Sequence, residues 1–294
     1  MAAINRSTDM TTGSIWKRMV SFAVPVFLGN LCQQLYNTVD SVIVGKFVGK
    51  QALAAVASSG NLIFMMTGFF MGLFIGAGIV IAQYFGARNY EKVRSAVHTD
   101  IAFALCCGVL LTLLGVFFTP TLLTWMRTPA DVLDTSILYF RLYFLGSLAT
   151  ILYNAGMGIL QAVGDSRSPL YYLVISSAVN VALDLLFVGA MDMGVAGAAV
   201  ATVISQVVSA VLCIIKLTRS DGPYRLEIKR IGFDLPLLKK ITSQGVPSGV
   251  QNSIIAIANV VVQSNINTFG SDAMAGCGSY SKAVSYTHLR AHET

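Results

Sequence analysis

Asp184 is the only charged residue in the run 168–191, and a carboxylate placed in a bilayer costs on the order of 3 kcal/mol by insertion scales. Its spacing supplies company. Asn180 lies four residues earlier, on the same face of a helix. Gln33, Tyr36, Asn37 and Asp40 form a second polar stripe at i, i+3, i+4 and i+7, and Thr202 and Gln206 repeat the i, i+4 spacing. An α-helix rises about 1.5 Å per residue, so counting from the turns fixes depth. Asp184 is 9 residues before Met193, Thr202 is 9 after it, and Asp40 is 8 before Val48. Three groups on three helices therefore share one depth, about 12–14 Å below the turns. Two carboxylates meeting in a medium of low dielectric repel unless a proton or a hard cation joins them, and Asn and Thr oxygens can complete the cation's shell. The structural alternative is a pair hydrogen-bonded across a bundle, with no ligand.

The surrounding chain reads as an all-α polytopic membrane protein. Of 294 residues 55% are hydrophobic and 12% charged, and mean hydropathy is +0.69, against about 25% charged in soluble domains. A crossing helix needs about 20 apolar residues. Seven spans are predicted, at 17–44, 52–84, 96–119, 135–162, 169–190, 194–217 and 239–268, with an eighth beginning near Asp272. The polar first fourteen residues precede a span too long for a signal-peptide core, which predicts an uncleaved first helix. With the N-terminus cytoplasmic, fourteen Lys and Arg fall on that side and three (Lys46, Lys50, Arg127) on the other, the positive-inside pattern. This distribution predicts a multi-pass protein of the plasma or inner membrane, in contact with lipid and not with nucleic acid, despite the net charge of +6. Cys32, Cys106, Cys107, Cys213 and Cys277 lack Cys-x-x-Cys spacing and read as small packing residues.

The chain also repeats itself. Val24-Pro25 aligns with Val246-Pro247 and Asn30 with Asn252; after a one-residue loss, GKQALA from Gly49 aligns with GSDAMA from Gly270. An even number of spans separates the copies, as in parallel transporter repeats. Asp40 aligns with Val262, so the acid belongs to the first copy alone. The predicted organisation is a first lobe at 1–217, a basic cytoplasmic linker at 218–238 that can hold a short interfacial helix, and the start of a second lobe at 239–284. The final SYTHLRAHET, 285–294, reads as a non-native tail, and the i, i+4 pair His288 and His292 within it is not taken as a metal site.

Several further residues have plainer readings. Gly68, Gly72 and Gly76 recur every four residues and predict close helix packing. Arg141, with Asp134 seven residues earlier, reads as a snorkelling anchor or a bundle ion pair, and His98 as interfacial. Asn154 is placed as a cavity-lining candidate, the alternative being a bond to neighbouring backbone. Pro25 can kink the first helix and is the candidate hinge. No metal, cofactor or enzymatic constellation is read from the residues.

The segment GILQAVGDSRSPLYYLVISSAVNVALDLLFVGAMDMGVAGAAVATVISQ resembles the multidrug and toxic compound extrusion (MATE) family. The likeness rests on GxLQAxGD with its following Pro, on NxxxD in the fifth helix and on GVxGAAxAT opening the sixth. VPVFLGNLCQQLYNTVDSVIVGKFVG and LPLLKKITSQGVPSGVQ extend it over about 15–284. The resemblance implies twelve helices in two pseudo-two-fold-related lobes around an alternately opening cavity. This chain would supply the six-helix first lobe, the seventh helix and the start of the eighth, a truncation expected to leave it inactive. Membership also implies a monomeric secondary active antiporter that exports cationic amphipathic compounds in exchange for Na⁺ or H⁺, with no other cofactor. By motif position Asp40, Asn180, Asp184 and Thr202 would form the cation site. Gln33, Tyr36 and Asn37, together with Asn154 and Gln206, would face substrate. A flippase of lipid-linked oligosaccharides, or a non-transporting scaffold, stands as the alternative.

Overall fold

In lipid every backbone polar group must find its partner inside the protein, so long uncharged runs fold as long helices. The computed structural model describes residues 14–288, which contain helices and no strand. The helices are α1 (Ile15–Phe47), α2 (Lys50–Gly86), α3 (Tyr90–Trp125), α4 (Ala130–Leu145), α5 (Ser147–Ala162), α6 (Arg167–Asp184), α7 (Gly194–Arg219), α8 (Leu235–Asn267) and α9 (Ser271–His288). Five stretches (α2, α3, Arg167–Ala190, α7 and α8) are long and apolar enough to cross a membrane, and α4 with α5 makes a sixth if the pair is one span. α1 has the length, 33 residues, but its polar stripe keeps it out of that group. The backbone of α9 continues through 285–288; residues 289–294, with His292, lie outside the described residues, as do 1–13.

Two expected spans are not continuous. The fourth, 135–162, breaks at Gly146 with a bend of 48°. A Cβ on Gly146 would fall 2.7 Å from Val203 Cγ2, so the close approach of α7 dictates the residue at the break. The fifth, 169–190, ends in a turn of π-helix, Leu185–Ala190, that begins immediately after Asp184. There the Met191 N–H reaches back five residues to the Leu186 carbonyl at 2.9 Å.

The repeat is visible in the backbone. α1 and α8 are both 33 residues long and each holds an internal proline, Pro25 and Pro247. Each is followed by a glycine in the left-handed region, Gly49 at φ 108° and Gly270 at φ 93°. α8 lies along α2, where the three regularly spaced glycines face it. A Cβ on Gly72 would stand 2.2 Å from Gly249 N, and one on Gly76 2.3 Å from Gly245 N. Polar groups reinforce the seam: Asn252 Nδ2 donates to the Gly68 carbonyl (3.1 Å) and Asn61 Nδ2 to Gln263 Oε1 (3.0 Å). Gln263 in turn donates to Asn267 Oδ1, and Asn267 to the carbonyl of Met126, the residue after α3.

The main core joins α2, α3, α4, α5 and α7 around Phe74, Leu111, Phe140, Phe144 and Ile159. Val109, Leu113 and Phe117 on α3 are exposed at helical spacing, an apolar stripe suited to lipid. The expected linker is pinned to the bundle. Glu227 N–H donates to His98 Nε2 (3.0 Å), so the ring proton sits on Nδ1 and is donated to the Arg94 carbonyl (2.7 Å). Glu227 also pairs with Arg94 and Arg230, and Asp234 N–H donates to Thr99 Oγ1 (3.2 Å). His98, expected at the interface, is therefore a buried bridge. The interfacial helix considered for this stretch is a single 3₁₀ turn, Ile228–Arg230, before Asp234 caps α8.

Backbone lying directly opposite leaves no flexible atom to yield. Gly72→Val is expected to destabilise the folded chain by about 3 kcal/mol, read as thermal unfolding in detergent. Gly86→Ala, with nothing within 4 Å of the added carbon, is expected to leave the transition unchanged.

Candidate functional site

The polar stripe of α1 turns inward because α6 packs along this helix and α2, α4, α5 and α7 close the ring. Inside the ring is a cavity of about 660 Å³. Gln33, Tyr36, Asn37 and Asp40 line it from α1, Asn154 from α5, and Thr202 and Gln206 from α7; Pro25 lies on the same wall. The bend at Gly146 turns Tyr139 and Tyr143 of α4, as well as Thr150 and Asn154 of α5, toward this one space.

Asp40 and Thr202 stand on the wall, while Asn180 and Asp184 are fully buried behind it at 0% exposure. The Asp184 carboxyl faces that of Asp40, close enough to share a proton. Among the described residues no N–H or O–H donates to either oxygen of Asp184, and no Lys or Arg pairs with it. Both amide atoms of Asn180, one turn away, are buried without a protein partner as well. Thr202 donates its hydroxyl proton to the Ala198 carbonyl (3.0 Å), leaving its lone pairs free to accept. Asn154 Nδ2 donates to the Thr150 carbonyl (2.8 Å), so the backbone bond weighed for this residue is made and its amide oxygen is left over. The phenols of Tyr36 and Tyr139 lie within electrostatic range of both carboxyls. This arrangement can hold a proton between two acids or seat a hard cation among oxygens.

Of the residues placed at one depth by counting, Asp40 and Asp184 face each other and Thr202 lines the cavity with Asp40; Gln33, Tyr36, Asn37, Asn154 and Gln206 line that same cavity. Tyr139 and Tyr143 were not singled out, although their i, i+4 spacing is the same signal that marks Asn180 and Asp184. Ser205 and Ser209 also line the space and were missed, since small hydroxyls in an apolar helix resemble packing residues. Arg141 is exposed and joins no ion pair with Asp134 among the described residues, so only the anchor reading survives.

Fold and site together define a multi-pass helical membrane protein built around an internal polar cavity with a buried acid pair. The chain belongs to the MATE family: the family profile described as MatE matches residues 25–186. It is 32% identical over 285 residues to the probable multidrug resistance protein YoeA of Bacillus subtilis (strain 168), covering 95% of this chain and 62% of that protein. The chain therefore spans about three-fifths of the length of this relative. A MATE crystal structure in the straight conformation superposes with TM-score 0.83 at 26% identity, over 97% of this chain and 64% of the other. One in the bent conformation superposes with TM-score 0.81 at 25% identity, over 97% and 67%.

A buried carboxylate that no donor stabilises weakens the fold. Asp184→Asn, which keeps shape and removes charge, is expected to raise stability by roughly 2 kcal/mol in sodium-free buffer at alkaline pH. In an Asp40→Asn background the gain is expected to shrink, a coupling read by a double-mutant cycle of thermal unfolding. Additive effects would place the two carboxyls out of contact.

Proposed function

We propose that the full-length protein is a secondary active antiporter that exports cationic amphipathic compounds in exchange for Na⁺ or H⁺ by alternating access. The observation that carries this reading is Asp184, fully buried, without a donor among the described residues and facing Asp40 beside a polar cavity. An acid so placed lowers its energy only by taking up a positive charge, and the cation site is Asp40, Asn180, Asp184 and Thr202. Gln33, Tyr36, Asn37, Asn154 and Gln206 form the substrate wall, where carboxylate charge and aromatic rings suit a lipophilic cation. Family membership and likeness to proteins described as multidrug resistance and multidrug export proteins support this substrate class.

The protein acts as a monomer in the plasma membrane, with its N-terminus and the basic end of the bundle in the cytoplasm, and it is not an enzyme. Residues 1–217 form the first lobe, 218–238 the linker and 239–284 the start of the second lobe. Cation entry from outside neutralises the acid pair, removes the attraction that held a cationic compound and shifts the balance between two lobe arrangements. Such coupling needs only different affinities for the two states. Pro25 removes one hydrogen bond from α1, about four turns below Asp40, and is the hinge of that change. That MATE structures exist in forms described as straight and bent supports a change of shape between two states.

The test is efflux of a cationic dye such as ethidium from cells carrying the full-length protein with Asp40→Asn or Asp184→Asn. Ion-dependent efflux is expected to fall at least tenfold in each variant at unchanged membrane abundance. Undiminished ion-dependent efflux in either variant would remove the cation site from this pair.

A further inference from the structure

A groove of about 430 Å³ lies where α2, α3 and α8 meet, and it shares no lining residue with the internal cavity. Its floor is apolar, made by Leu62 and Met65 of α2, Leu122 of α3 and Val260 of α8. α3 and α8 run toward the same end of the bundle, opposite the basic face, since Asn267 at the end of α8 donates to the carbonyl of Met126 just past α3. On both helices the groove turns polar in that direction. Leu122 is followed by Trp125 and then Arg127, and Val260 and Val261 by Ser264 and Asn265. The groove is therefore apolar toward the middle of the bundle and charged at its mouth.

Arg127 carries the only full charge among the lining residues and pairs with no carboxylate among the described residues. Carbonyls at a helix end oppose an anion, but here they are already bonded. Leu122 O accepts from Met126 N–H, Thr124 O from Arg127 N–H and Met126 O from Asn267 Nδ2. Trp125, 75% exposed, stands beside the arginine, and tryptophan is enriched where a membrane meets water.

The repeat identifies this side of α8 as an outer face. Asp40 aligns with Val262, so Leu35 and Val39 on α1 correspond to Ile257 and Val261 on α8, and all four are exposed. α1 leaves its pair exposed although α2, α6 and α7 pack on it. Helices that pack on α8 in the same way leave Val261 open to lipid.

We propose that the groove binds one anionic phospholipid, with its phosphate on the Arg127 guanidinium beside Ser264 and Asn265, and an acyl chain laid over Leu122 and Val261. A guanidinium fork matches phosphate oxygens in shape and charge, and one net positive charge at the mouth selects an anionic headgroup over a zwitterionic one. The same charge disfavours a cationic amphiphile, so the groove is distinct in chemistry from the internal cavity. Phe118 and Ile257, exposed one turn deeper on α3 and α8, extend the track for the chain. A lipid seated this way touches α3 and α8 at once, next to Met126, whose carbonyl ends the polar relay from Asn61 through Gln263 and Asn267. It clamps the first bundle to the start of the second copy, independently of the acid pair.

The test is native mass spectrometry of the full-length protein with phosphatidylglycerol or phosphatidylcholine of matched acyl chains. Phosphatidylglycerol is expected to bind its tightest site at least fivefold more tightly than phosphatidylcholine, and Arg127→Gln to reduce it to the phosphatidylcholine level. Val261→Trp, which fills the groove and keeps the arginine, is expected to abolish the tight site, whereas Arg141→Gln, at an exposed arginine outside the groove, leaves it intact. Thermal unfolding checks that each variant is folded, and phosphatidylglycerol is expected to raise the transition of the unaltered protein but not of Arg127→Gln. Equal binding of the two lipids, or affinity unchanged in both groove variants, would overturn the site; the latter is the result expected if the rest of the second lobe or a second copy of the chain covers the groove. Loss in Arg127→Gln with full binding in Val261→Trp would leave a headgroup contact alone and overturn the groove.

Discussion

The structure turns on one buried acid: Asp184 is sealed from solvent, accepts from no donor among the described residues and faces a second carboxyl on another helix. Left to itself this contact is repulsive and desolvated, so the bundle must hold it together by packing. It does so with fully buried apolar side chains of α2, α3, α4, α5 and α7 and with glycine contacts that bring backbones close. The seam between α2 and α8 then fixes the first bundle against the beginning of the second copy of the repeat. A proton or a cation between the acids would relieve the one unfavourable contact that packing cannot remove.

The two copies of the repeat sharpen that point. α1 and α8 share length, internal proline and the following left-handed glycine, yet Asp40 in one corresponds to Val262 in the other, an exposed apolar residue. The backbone geometry therefore does not require an acid at that position. The acid stands on α1, whereas the corresponding position of α8 is an exposed valine.

Much of the site was legible because helical periodicity and rise are rigid. Counting residues from two turns brought Asp40, Asp184 and Thr202 to one level, and the i, i+4 spacing put Asn180 on the face of Asp184. The bend at Gly146 was not legible: it follows from the approach of Val203 on another helix, and nothing local marks that glycine as a break. The π turn after Asp184 was hidden for the same reason, as one added residue per turn leaves no compositional trace. Gly72 and Gly76 announced close packing but not their partners Gly249 and Gly245, which the chain places more than 150 residues away. His98 was misread because an isolated histidine near a helix start carries no sign of the linker backbone that folds over it.

The central claim is that Asp40 and Asp184 act as one ion-binding unit, and infrared difference spectroscopy of the purified protein observes that unit directly. Acidification in the absence of sodium is expected to produce a protonated-carboxyl band that Na⁺ diminishes and that disappears in the Asp40→Asn, Asp184→Asn double variant. A band unchanged in the double variant, or one indifferent to Na⁺ at every pH, would contradict the account.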